Sequence, residues 1–272
     1  MTRILGQTLL VIGLITIFSL AILAQTGKLM LGVKLRPEVS AIADEIEQKT
    51  KQKIDAEFIE FDDRFTLGSS YISENATAIV HVNSNLKRQT QKLEAVIAHE
   101  LLHLRLRANN YPVFLFAPNV KTRRGLAQDV EQSNANDLAS LIEHRIFKAE
   151  MDKFGLNQII NLAGDTESAA EQRNGAKDGQ ADAINFARAV LEYQTSADIE
   201  KLRKIYQTNK WQKSLKIGQE IADLISGSKI ISPESSARVF QLCLAKLYPS
   251  PRPFKLIPDK TVKAYRQMLI SL

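Results

Sequence analysis

Of the residue types that carry chemistry, this 272-residue chain has few. Its single cysteine, Cys243, excludes an intramolecular disulfide. Histidine is almost as scarce, with four in all: His81, His99, His103 and His144. Nowhere are basic residues interleaved with aromatics, so a nucleic-acid partner is not expected despite a net charge of +6. No internal repeat with a consistent register is present, and the proline-rich "PSPRPFKLIP" is too short to be a low-complexity tract.

Charge itself is missing from one stretch. Ile4 to Ala24 contains none over 21 residues and is preceded by Arg3, which fits either a membrane-spanning anchor or a signal peptide across residues 1–27. Either role makes the protein membrane-anchored or exported, with its body extracytoplasmic, although Lys28, Lys34 and Arg36 on the far side give the charge rule little to act on. The remaining charge is uneven. From residue 197 to 272 there are 14 Lys and Arg against 6 Asp and Glu, while residues 1–196 hold 22 against 24. A basic C-terminal region of this kind reads as solvated helix faces, with contact to anionic lipid headgroups as the alternative.

What is present divides into a mixed region and a helical one. "RPEVSAIADEIEQKTKQKI" has a helical period opened by Pro37. "AEFIEF" and "ATAIVHVNSN" read as strands, separated by a loop around Gly68, Ser69 and Ser70. A long buried helix is expected from Thr90 to Arg107, then a loop-rich stretch, then a helix from about Asn136 to Phe154. Residues 161–180 are polar and read as a linker or mobile loop. Helical patterns fill residues 181–272, interrupted by the proline-rich decapeptide and with a short terminal helix after it. The expected architecture is α+β: a core over residues 28–160, then the linker and a helical C-terminal region.

Two of the four histidines fall together in "VIAHELLHLRLR", Val96 to Arg107. Residues i and i+4 share a helix face, so His99 and His103 can offer two imidazole nitrogens to one metal while Glu100 projects beside them. Zinc hydrolysis uses this spacing: the metal acidifies a water and the glutamate accepts its proton.

Through "AHELLH" the chain resembles the zincin superfamily of metallopeptidases over roughly residues 37–155. The resemblance implies a zincin-like core of helix, short sheet with an edge strand, active-site helix and glutamate helix. It also implies a Zn2+ cofactor, a peptide or protein substrate and Glu100 as general base. Zincins set an edge strand beside the active-site helix, and "AIVHVN" has a similar place in the chain. The metzincin continuation is absent, since Leu106 and Asn109 stand where Gly and His would be.

The gluzincin arrangement, with a glutamate from a later helix, implies Glu143 as third ligand after His99 and His103. Its place among Leu141, Ile142 and Ile146 agrees, because an unpaired buried charge is costly. Asp129 and His144 are rivals for that position, and His144 can alternatively donate to a carboxylate behind the ligands or to the oxyanion. His81 can face the cleft or away from it, and Tyr193 and Tyr206 are unassigned oxyanion candidates. The non-enzymatic alternative is a membrane-associated binding or scaffold protein with a structural or vestigial zinc site. Retention of Glu100 favours the enzyme, since a structural site needs no base.

Overall fold

The structure, a computed structural model, describes residues 27–62, 66–73, 75–116, 126–155, 167, 170–171, 178–193, 195–248, 254–258 and 268–269. Among the described residues no helix is long and apolar enough to cross a membrane. The Ile4 to Ala24 segment lies outside them.

The mixed region begins with a two-stranded hairpin, β1 (Leu29–Met30) and β2 (Val33–Lys34). Leu31 and Gly32 turn it with φ of 51° and 81°, the paired positive values of a tight hairpin turn. Helix α1 (Pro37–Thr50) follows, with proline in its first turn, where a missing N–H costs no hydrogen bond. The sheet comprises β3 (Asp55–Ile59), β4 (Gly68–Ile72) and β5 (Ala78–Asn83) in the order β3-β5-β4. β5 is parallel to β3 and antiparallel to β4.

Helix α2 (Thr90–Ala108) lies across this sheet and against α1. Val39, Ile42 and Ile46 of α1, Val80 and Val82 of β5, and Leu93, Ile97, Leu101 and Leu104 of α2 form one buried cluster. Arg36 locks its corner. The guanidinium makes two hydrogen bonds to Glu94 at 3.2 and 3.0 Å and donates to the Phe154 carbonyl at 2.7 Å.

Helix α3 (Leu126–Lys153) joins the two regions. Its C-terminal residues Phe147 and Met151 belong to the first cluster, while Ala135, Leu138, Leu141 and Ile142 belong to a second, formed with the C-terminal helices. Glu143 and His144 fall where the helix passes from one core to the other.

The C-terminal helices are α4 (Gln180–Glu192), α5 (Ser196–Thr208), α6 (Gln212–Gly227) and α7 (Pro233–Leu247). α4 and α6 pack most closely, and a Cβ on Gly218 of α6 would come within 2.6 Å of the Ala183 carbonyl oxygen. A third cluster of Phe186, Leu202, Tyr206 and Trp211 seals α4 against α5. A separate sheet pairs β6 (Pro112–Phe116) with β7 (Phe254–Pro258), and β7 with β8 (Met268–Leu269), all antiparallel.

Several expectations change. The strand containing "AIVHVN" is the central strand rather than an edge, because it pairs on both sides. The edge beside α2 is β4, at the Gly68-Ser69-Ser70 stretch expected to be a loop. α3 starts ten residues before Asn136. "FKLIP" is a strand, and Met268–Leu269, within the expected terminal helix, is another. Of the expected linker at 161–180, residues 167 and 170–171 are helical, Ala170 is buried in the third cluster, and Asp178 caps α6 through the Lys213 and Ser214 amides.

Candidate metal centre

His99 and His103 lie one turn apart on α2, and His144 faces them from α3. His103 Nε2 is 3.1 Å from His99 Nε2 and 3.2 Å from His144 Nε2. One ligand atom from each ring lies within 4.8 Å of the other two. The Phe147 ring packs against all three, with centroid distances of 5.6, 5.0 and 5.4 Å to His99, His103 and His144.

Carboxylates fix two of the rings. His103 Nδ1 donates to Glu143 Oε2 at 2.6 Å, and His144 Nδ1 donates to Glu192 Oε1 at 2.6 Å. Each hydrogen bond puts the ring proton on Nδ1 and leaves a lone pair on Nε2. These two acceptor nitrogens lie 3.2 Å apart, each also in reach of one other polar group, His99 Nε2 for His103 and Ser140 Oγ for His144. On a tetrahedral ion with metal–nitrogen bonds of about 2.0–2.1 Å, nitrogen ligands stand about 3.3 Å apart. Two of the three nitrogen pairs have this spacing, and His99, His103 and His144 could together hold a metal ion.

Glu143 has a different place from the one the gluzincin pattern implies. It is buried, but its charge is met by His103 Nδ1 through Oε2 and by Arg107 Nη1, 2.5 Å from Oε1. Burial pushes its carboxyl up, yet Arg107 and His103 outweigh burial and hold it at about 2. Its aliphatic setting reflects an ion pair at the core junction. Neighbouring positions on α3 point about 100° apart, so His144 turns towards the cluster as Glu143 turns to the far nitrogen of His103. Ser140, one turn before His144, places its hydroxyl 3.0 Å from His144 Nε2.

Glu100 is buried beneath the edge strand. Ser70 Oγ of β4 donates to Glu100 Oε2 at 2.8 Å and lies 3.1 Å from the Glu100 carbonyl oxygen. Gly68 permits this approach, since a Cβ there would stand 3.0 Å from Glu100 Oε1 and 2.8 Å from Val96 Cγ1. Burial raises the Glu100 carboxyl to about 7, with the Glu143 charge adding to the rise and the Ser70 hydrogen bond opposing it. A carboxyl at that value can accept and return a proton near neutrality. Burial also lowers His99 well below its usual range, helped by His144 and His103, and lowers His103 against the opposing pull of Glu143.

The other candidates are elsewhere. His81 faces away from α2, with Nε2 3.0 Å from Glu57 Oε1 and its ring edge-on to Tyr71. Tyr206 is a core residue whose hydroxyl donates to the Asp182 carbonyl at 2.9 Å. Tyr193 packs at the rim of the third cluster. The side chain of Asp129 lies outside the described residues. Glu192 carries no local sequence sign of this role beyond being a carboxylate that closes an amphipathic helix. The chain matches no protein-family model, no curated protein and no solved structure.

Proposed function

We propose that the protein is a zinc-dependent hydrolase of peptide bonds, with His99, His103 and His144 as metal ligands and Glu100 as general base. The convergence of the three imidazoles carries this assignment, because carboxylates turn two of their lone pairs inward beside a buried glutamate. Three protein ligands leave a coordination position open, as catalysis requires and a closed structural site does not. A bound zinc ion supplies Lewis acidity that brings the pKa of water to about 7.

The chain's own residues do the rest. Ser70 holds Glu100 Oε2, leaving Oε1 to take a proton from the attacking water and return it to the leaving amine. Glu143, kept anionic by Arg107, holds the His103 ring in place. Phe147 walls the cluster on one side and keeps the imidazoles in a poorly hydrated setting. A peptide substrate is favoured because β4 is an edge strand bearing the residues that touch Glu100, so an extended chain aligned with it passes the base.

The test uses purified full-length protein loaded with zinc and a mixed peptide library read by mass spectrometry. The wild type should cleave, and Glu100→Gln should retain zinc while hydrolysis falls by ~100-fold or more, the usual contribution of positioned proton transfer. Full activity in Glu100→Gln would remove the general-base role. Loss of zinc in that variant would make Glu100 a ligand.

A further inference from the structure

We propose that Glu192, from the helical C-terminal region, is a positioning residue of the metal centre: it sets the tautomer of His144, so the site is complete only when α4 is docked. This rests on the ligand assignment above. The His144 Nδ1 to Glu192 Oε1 hydrogen bond is 2.6 Å, and the two side chains are only 15% and 14% exposed.

Besides His103 Nε2 at 3.2 Å, His144 has two polar neighbours, and these favour opposite tautomers. A proton on Nδ1 is donated to Glu192 and leaves Nε2 free for a metal. A proton on Nε2 would be donated to Ser140 Oγ, 3.0 Å away, and would remove that lone pair. A carboxylate is the stronger acceptor, so Glu192 decides the competition. The other ordered ring, His103, takes its carboxylate from the same helix that carries His144, but Glu192 comes from beyond residues 167–179.

Two features hold α4 in register for this task. Arg188, one turn before Glu192, bonds Asp137 of α3 at 3.3 Å. Ala183, Ile184 and Ala187 pack in one cluster with Leu138, Leu141 and Ile142 of α3. The C-terminal helices thus form a wall of the site rather than an appended module.

The test measures zinc affinity of the full chain by competition with a chromogenic chelator. The variants are Glu192→Ala, Glu192→Gln, His144→Ala and the double variant His144→Ala Glu192→Gln, each checked for fold by circular dichroism. Removing the carboxylate in Glu192→Ala should weaken zinc binding 10–100-fold, the range for outer partners of a ligand histidine, and Glu192→Gln should lose less. With His144 already absent, Glu192→Gln should cause no further loss. Equal losses in both backgrounds would show a structural role and overturn the proposal, as would unchanged affinity in Glu192→Ala. Should Glu192→Ala not fold, the Glu192→Gln comparison across the two backgrounds decides by the same criteria. Failure of the wild type to bind zinc would instead overturn the ligand assignment itself and this proposal with it.

Discussion

His103 and His144, 41 positions apart in the chain, bring their Nε2 atoms to 3.2 Å of one another while each donates its Nδ1 proton to a carboxylate at 2.6 Å. Both rings are thus oriented from behind, one by Glu143 and one by Glu192. Local sequence places His99 beside His103, but only the packing of α3 on α2 brings the third ring to them.

The contact between the edge strand and the base can be probed at Gly68. Gly68→Ala puts a methyl group 2.8 Å from Val96 Cγ1 and 3.0 Å from Glu100 Oε1, so β4 or Glu100 must shift. A stability loss of about 1–3 kcal/mol is expected for such overpacking, by chemical denaturation. Zinc content should be unchanged while peptide hydrolysis falls, since the ligands lie on other elements. Unchanged hydrolysis would separate β4 from the chemistry.

Arg36 should matter for stability rather than for the site. Its guanidinium ties Glu94 of α2 to the Phe154 carbonyl just beyond α3, although the side chain is 37% exposed. Exposure reduces the worth of the charge, so Arg36→Ala is expected to cost about 1–2 kcal/mol in urea denaturation. Zinc stoichiometry should stay at the wild-type value.

Cys243 should be inert in the folded protein. It is fully buried in the second cluster, and burial pushes its thiol up to about 12. The thiolate is the reactive form, so its fraction at pH 8 is small and rises only as pH approaches that value. Labelling with a thiol-specific disulfide reagent at pH 8 should be slow in native protein and complete within minutes in denaturant. Rapid native labelling would mean that the α3, α6 and α7 packing opens readily.

Much of the helical organisation is legible from apolar spacing: α2 begins and ends within one residue of its expected bounds, the region after residue 180 is helical as expected through α4 to α7, and α1 starts beside Pro37 but ends at Thr50, four residues before the expected Ile54. β4 is not legible, because Gly-Ser-Ser reads locally as a turn and becomes a strand only through pairing with β5 and contact with Glu100. In the candidate site, His99, Glu100 and His103 follow from helical spacing. Glu143 stood out as a carboxylate among aliphatics, a pattern that does not distinguish a metal ligand from a residue paired with Arg107 and His103. Telling Glu143 from His144 requires the rotation of α3 about its axis, and finding Glu192 requires the docking of α4. Both are tertiary facts.

The most direct measurement is elemental analysis of full-length protein after zinc-supplemented purification, comparing wild type with His144→Ala and Glu143→Gln. The wild type is expected to hold about one zinc per chain. His144→Ala should lose most of it, whereas Glu143→Gln should keep the ion at weaker affinity, because Glu143 contacts the far nitrogen of His103. Full zinc occupancy in His144→Ala together with an empty Glu143→Gln would contradict the three-histidine site and return the third ligand to the glutamate.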